Sequence, residues 1–362
     1  YTTYGSNGTA QRVYQIASPY AEADLSSLFF TQNADTLYIW HPDYPERTLL
    51  RYADDNWSLV ATTLVDGPYL PENTTTTYLQ PSSSAPGTGV TLTASATTGI
   101  NNNQGFLSSD VGRLIRIKQG SVWGYCQITG WTSTTVVTVT IINDLVNTNH
   151  KTAWRMGLYS DTTGYPSCGT FYGDRLYRGG CPEQIDRFDG SKVGDYLNMS
   201  PTNVDTTIVD DNAVSRRLNE DDVQAIRWMR GTGNGLIIGT LEGEWVISPS
   251  TNTEAITPSN IDAKMSTPFG SALVQPIKAG TAIVYVEAGG RRIREAQYQY
   301  YDNLLQAADM TIIAEHITKG DYDPAYPDEG TSTVARSGVT ELAFQRDRKS
   351  TRLNSSHVSE SR

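Results

Sequence analysis

Ala225-Ile226-Arg227-Trp228-Met229, then Gly233-Asn234, then Gly235-Leu236-Ile237-Ile238-Gly239, then Leu241-Glu242-Gly243, then Glu244-Trp245-Val246-Ile247: three strand-forming runs follow one another, separated only by glycine turns. The middle run is apolar along its whole length, the pattern of a strand buried on both faces. The same plan recurs three more times. It opens with Leu28-Phe29-Phe30 and Leu37-Tyr38-Ile39-Trp40, closing on Thr48-Leu49-Leu50. It returns with Gly169-Thr170-Phe171-Tyr172 and Arg175-Leu176-Tyr177, closing on Gln184-Ile185-Asp186. It returns again with Leu273-Val274-Gln275-Pro276-Ile277 and Ala282-Ile283-Val284-Tyr285-Val286, closing on Arg292-Ile293-Arg294. One small meander cannot bury both of its faces, whereas several packed face to face around an axis can. Units of three or four strands repeated roughly every 45–60 residues therefore predict an all-β fold, a β-propeller-like array of small antiparallel sheets.

The array is interrupted. Pro81-Ser82-Ser83-Ser84-Ala85-Pro86-Gly87 reads as a linker. After it, strand-like runs at 90–94, 114–118, 122–128 and 134–142 predict an inserted small β-barrel or sandwich domain over residues 84–158. Whole domains are tolerated at exposed loop tips. The first part of the propeller-like domain then covers 1–83 and its continuation 159–346.

Composition agrees with a strand-rich chain: 21 Tyr, 7 Trp and 31 Gly, at a mean hydropathy of −0.41. The best helical stretches are short, at 20–28 behind Ser18-Pro19 and at 303–310. No apolar run approaches the ~20 residues that span a bilayer, so no stable membrane insertion is expected. Cys126, Cys168 and Cys181 are odd in number and form no C-x-x-C, which indicates neither a disulfide framework nor a zinc ribbon.

The ends read as those of a gene fragment. The chain opens on Tyr1, and Asp347-Arg348-Lys349-Ser350-Thr351-Arg352-Leu353-Asn354-Ser355-Ser356-His357 equals one reading frame of a common short-read sequencing adapter. Residues 347–362 are accordingly set aside as an artefact tail. Without them the formal net charge moves from −11 to −13. An acidic body disfavours tight nonspecific binding to phosphates. Gly338-Val339-Thr340-Glu341-Leu342-Ala343-Phe344-Gln345 reads as the first strand of another unit, so the array is expected to be incomplete at its ends.

An ordered series of stretches resembles the nozzle proteins (tail tubular protein B) of short-tailed bacteriophages and their prophage relatives. It runs Ser18-Pro19-Tyr20, Thr31-Gln32-Asn33-Ala34-Asp35-Thr36-Leu37-Tyr38-Ile39, His41-Pro42-Asp43-Tyr44-Pro45, Asp66-Gly67-Pro68-Tyr69 and Val111-Gly112-Arg113-Leu114-Ile115-Arg116. It continues through Gly173-Asp174-Arg175-Leu176-Tyr177, Ile226-Arg227-Trp228, Gly243-Glu244-Trp245-Val246, Ile256-Thr257-Pro258-Ser259-Asn260, Gly289-Gly290-Arg291-Arg292-Ile293-Arg294-Glu295 and Ala314-Glu315-His316-Ile317. The resemblance implies a propeller with an additional β domain, in a homo-oligomeric ring, usually a hexamer. The ring would sit in the virion at the distal end of the tail, assembled in the bacterial host cytoplasm. Its expected neighbours are adaptor and tail-tube proteins and tail fibres, with viral DNA passing through the channel without sequence-specific binding.

Residue chemistry singles out no catalytic, cofactor-binding or metal site, and no cofactor is expected. His41 lies in a turn, and His150 and His316 lack partners at metal-ligand spacing. Asp205, Asp210, Asp211, Glu220, Asp221 and Asp222 lack the spacing of a calcium loop and read as a solvated or channel-facing loop. Gly231-Thr232-Gly233-Asn234-Gly235 lacks the Lys-Ser/Thr of a phosphate loop and reads as a hairpin turn. Arg292 and Arg294 alternate onto one strand face, where intersubunit salt bridges are the expected use. The competing function is a tail-associated propeller enzyme or receptor-binding module acting on host surface glycans; the sialidase repeat S-x-D-x-G-x-T-W does not occur.

Overall fold

The computed structural model describes residues 2–4, 10–12, 14–219, 224–233, 235–250, 255–299, 304–313, 318 and 338–344. A hairpin of β1 (Thr2–Tyr4) and β2 (Ala10–Arg12) comes first. Blade 1 follows as β3 (Phe29–Asn33), β4 (Thr36–His41), β5 (Tyr44–Ala53) and β6 (Asn56–Ala61). An inserted sheet contains β7 (Leu79–Pro81), β8 (Gly87–Ala94), β9 (Leu114–Gln119), β10 (Val122–Ser133), β11 (Val136–Asn143) and β12 (Trp154–Met156). Blade 2 is β13 (Cys168–Tyr172), β14 (Arg175–Cys181), β15 (Gln184–Gly190) and β16 (Val214–Arg217). Blade 3 is β17 (Ile226–Thr232), β18 (Gly235–Thr240), β19 (Glu244–Ser248) and β20 (Asp262–Thr267). Blade 4 is β21 (Ile277–Ala279), β22 (Ala282–Val286), β23 (Ile293–Gln299) and β24 (Leu304–Asp309).

Each blade is a four-stranded antiparallel meander whose spatial order is its chain order. The fold is thus all-β and propeller-like. The second strands β14, β18 and β22 are buried at every residue, the consequence of sheets packing on both faces. One core runs through all four blades and holds Trp40, Tyr177, Trp228, Ile238 and Tyr285. The first strands of blades 1 to 3 pack together: β13 lies on β3 and on β17. Gln275, just before β21, carries blade 4 back to blade 1. Its amide donates to the Phe30 carbonyl at 2.8 Å, and its oxygen accepts from the Phe30 N–H at 3.2 Å. Arg230 of β17 donates to the Pro276 carbonyl at 3.0 and 3.2 Å, tying blade 3 to blade 4. Seams between blades are aromatic: Tyr38 meets Phe171 edge-on with centroids 5.6 Å apart, and Trp228 meets Tyr285 at 5.5 Å. Gly169 lets the Trp40 ring lie on the blade 2 backbone, since a Cβ there would stand 2.5 Å from Trp40 Cζ2.

The inserted unit is one curled six-stranded sheet in the order β12-β9-β10-β11-β8-β7. Alternation does the work expected of it. Val137, Val139 and Ile141 of β11 and Val90, Leu92 and Ala94 of β8 face inward. They enclose a second core with Leu79, Ile115, Ile117 and Trp154. The sheet begins at Leu79, so the start of the stretch read as a linker is already a strand.

The structure departs from the sequence reading in four further places. Each blade gains a fourth, outer strand that the repeat did not isolate except as an option. Residues 304–309 of the helix expected at 303–310 form β24, paired with β23 from Arg294↔Asp309 to Gln299↔Leu304. Leu305 and Ala307 are buried while Gln306 and Ala308 are exposed, a period of two and not 3.6. Residues 22–27 form a 3-10 turn (Glu22–Ser27) and not a longer helix. Residues 338–344 form no strand; Val339 N–H donates to the Gly290 carbonyl at 2.8 Å. Among the described residues, no helix is long and apolar enough to cross a membrane. Residues 347–362 lie outside the described residues.

Candidate functional site

Ionisable side chains inside an all-β protein are costly unless paired, and here they gather at the junctions between units. Arg178 sits mid-strand in β14, fully buried, because each of its neighbours along the strand is buried too. Its Nε and Nη2 reach Glu46 Oε2 and Oε1 of blade 1 at 2.5 and 2.9 Å, a two-pronged pair across the blade seam. Trp40 Nε1–H donates to the same Glu46 oxygen at 3.0 Å, and Arg178 Nη1 donates to the Tyr196 carbonyl at 3.1 Å. Burial works against the Arg178 charge, but the Glu46 carboxylate outweighs it and holds the guanidinium above its usual pKa.

A second joint ties the inserted sheet to both flanking blades. Asp66, in the connection leaving blade 1, stands 3.3 Å from Arg116 of β9. Asp66 also accepts from the Tyr69 hydroxyl at 2.7 Å and from Ser200 Oγ at 2.8 Å. Arg116 donates to the Thr202 carbonyl at 3.2 Å and lies over the Trp123 ring at 5.1 Å. Burial, then the Asp66 charge, pushes the Tyr69 hydroxyl well above its usual pKa, so it is a neutral donor at physiological pH.

Within the insert, Asp110 and Arg113 pair at 2.8 Å with both side chains fully buried. Asp110 accepts in addition from Leu107 N–H at 2.9 Å, Asn101 Nδ2 at 2.6 Å and Thr162 Oγ1 at 2.8 Å. Arg175 of β14 is held by carbonyls alone: Ser191, Asn212 and Asp210 each accept at 2.6 Å.

The joint between blades 3 and 4 is built on a carboxylate. Glu244 is fully buried and accepts from Thr267 Oγ1 at 2.6 Å and Ser271 Oγ at 2.8 Å. Tyr285 of β22 and Arg294 of β23 face it, and Arg294 is itself paired with Glu287 at 2.7 Å. Desolvation raises the Glu244 pKa above 4.5 against those hydrogen bonds. A carboxyl whose folded pKa is raised stabilises the fold fully below its unfolded pKa, and that contribution is lost as pH rises through the folded value. Glu244→Gln is therefore expected to flatten the fall of the urea midpoint as pH rises above about 4, the range in which an unfolded glutamate ionises. An unchanged slope in the variant would place the pH dependence elsewhere.

The residues that sequence reasoning weighed have local roles. His41 Nε2 lies 2.9 Å from Ser27 Oγ and its Nδ1 accepts from Asp43 N–H at 3.1 Å, so both ring nitrogens serve the turn. His150 packs on the Tyr78 ring at 4.6 Å. Asp205 caps its own loop through Thr207, whose hydroxyl holds the carboxyl below its usual pKa. Asp211 pairs with Lys192 at 3.2 Å. His316, Asn234, Glu220, Asp221 and Asp222 lie outside the described residues. Thr232 and Gly235 pair across the β17–β18 hairpin. Arg294 does not have the intersubunit use expected of it: it is buried, spent on Glu287 and on the Ala307 carbonyl at 2.9 Å. All three cysteines are free and buried, and desolvation lifts Cys126 and Cys168 to about 12 and Cys181 to about 11. Among the described residues, no cluster of His, Cys, Asp and Glu is arranged to hold a metal.

Sequence reasoning passed over Glu46, Asp110 and Arg178. The available signal was a charged residue inside an otherwise strand-like run, as Arg178 is in Leu176-Tyr177-Arg178-Gly179. No protein-family model matches the chain, and no curated protein does.

Proposed function

We infer that this chain is a structural subunit of a short phage tail, a nozzle-type component of the ring that prolongs the DNA channel. It works by shape and assembly. The observation that carries this reading is where the resembling stretches fall. Asp66 and Tyr69, Arg113 and Arg116, Arg175, Glu244 and Arg294 all belong to them, and all are buried in the joints within and between units. What the chain has in common with nozzle proteins is thus the set of fastenings that hold blades and insert in one arrangement. A conduit under internal DNA pressure needs that rigidity.

The net charge of −11 supports the same reading, because like charge keeps DNA from adhering to a channel wall while it slides. In this reading the ring contacts adaptor and tail-tube proteins on one side and tail fibres around it. Negative-stain imaging of the purified chain tests it. Rings with a central hole are the expected particles. Monomers at every concentration, together with release of sugar from host envelope polysaccharide, would overturn the conduit reading in favour of a tail enzyme.

A further inference from the structure

A cavity of about 500 Å³ opens where blades 1, 3 and 4 come together. First strands line it: Phe30 of β3, Arg230 of β17 and Ile277 of β21. Arg230 shares its strand face with Trp228, two residues earlier. Trp228 meets Tyr285 of blade 4, so the guanidinium is aimed at the same seam. Its Nε and Nη2 hold the Pro276 carbonyl. Nη1 has no partner and, unlike the sealed donors of the joints, stays within reach of solvent.

Among the described residues, no carboxylate neutralises this guanidinium. Arg113, Arg116, Arg178, Arg187 and Arg294 are each paired with an Asp or Glu, and Arg175 has three carbonyls. Arg230 has one carbonyl. It is half-buried, and burial pulls its pKa below the usual arginine value with no charge nearby to restore it. Withdrawing a cation from water without a counter-ion is unfavourable, and an anion entering the cavity relieves that. The wall around it is apolar. Leu25, Leu273 and Phe30 remain 53%, 42% and 37% exposed, three large hydrophobic side chains about one opening. The Ser26 hydroxyl lines the cavity as a second donor, exposed and without a hydrogen bond among the described residues.

The geometry points to a binding site for a monocarboxylate with an apolar body, of the medium-chain fatty acid kind, a function independent of the nozzle reading. The carboxylate meets Arg230 Nη1 and Ser26, and the hydrocarbon chain covers Leu25, Phe30 and Leu273. A neutral apolar molecule leaves the guanidinium unmet. An ammonium meets it with like charge, and inorganic phosphate leaves the apolar wall in water. Glu341, exposed on the segment that lines one side of the cavity, disfavours a second negative charge on the ligand. The volume lies within the range of small-ligand pockets, ~300–1,000 Å³.

Calorimetric titration of the whole chain tests the site, with octanoate as the probe and octanol, octylammonium and inorganic phosphate as controls. Octanoate is expected to saturate one site, with octanol about tenfold weaker for want of the charged hydrogen bond and the other two not binding. Arg230→Gln is expected to weaken octanoate by about tenfold or more. Leu273→Asn and Glu341→Gln change exposed side chains and keep the test readable if Arg230→Gln fails to fold. Leu273→Asn is expected to weaken octanoate about tenfold through lost apolar contact, and Glu341→Gln to tighten it about twofold by removing a like charge. No saturable binding of octanoate, octanol or octylammonium binding as tightly, an affinity unmoved by Leu273→Asn, or weaker binding to Glu341→Gln would overturn the assignment.

Discussion

Replacing Glu46 by leucine lowers stability toward urea by about 3–5 kcal/mol, the cost of stranding one partner of a buried ion pair. Arg178 is fully buried, and the other acceptors around it, the Tyr196 and Leu176 carbonyls and the Met199 sulfur, are weak or already reached by Nη1 at 3.1, 3.5 and 3.6 Å. Trp40 Nε1 loses its acceptor at the same time. The double substitution Glu46→Leu with Arg178→Met separates these two losses. It removes the stranded charge but still leaves the indole N–H unmet, so it is expected to regain most of the stability and to fall short by about 1–3 kcal/mol. A double variant no better than Glu46→Leu would mean that the Trp40 bond within blade 1, and not the ion pair across the seam, carries the loss.

That joint also shows which parts of the molecule are legible in the sequence. The blades are, because their signal is local: Leu236-Ile237-Ile238 is apolar on both faces and flanked by glycine turns, and it becomes a fully buried second strand. The insert is legible for the same reason, through the alternation of Val137, Val139 and Ile141. Outer strands are harder. Residues 304–309 carry Leu-Leu-Gln-Ala-Ala-Asp, whose leucine and alanine favour helix, and only pairing with β23 makes them a strand. The joints were least legible. Glu46 and Arg178 lie far apart in the chain, and neither residue's neighbours announce the other. Arg292 and Arg294 were read as one face of a strand, yet β23 begins only at Ile293, and Arg294 turns inward over Phe269 with its guanidinium carbon 3.4 Å from the ring centroid.

Asp110→Leu is the counterpart in the inserted sheet, with an expected loss of about 3–5 kcal/mol. One carboxylate there takes four hydrogen bonds, from Arg113, Asn101, Leu107 and Thr162, and neither it nor Arg113 is exposed. Leucine strands the guanidinium and releases the left-handed Asn101 that its oxygen holds. Asp110→Asn keeps the shape but turns one oxygen into a donor that faces donors, so it is expected to lose less than leucine and more than nothing. The insert has its own core, separate from that of the blades. Hydrogen exchange followed by mass spectrometry should therefore place the effects apart: Asp110→Leu speeds exchange in β9 to β12 and leaves β17 to β19 unmoved, whereas Glu46→Leu does so in blades 1 and 2. If Asp110→Leu instead loosened blade 3 to the same degree, Asp66 and Arg116 would have to be transmitting the loss, and the insert and the array would be one cooperative unit joined through that pair.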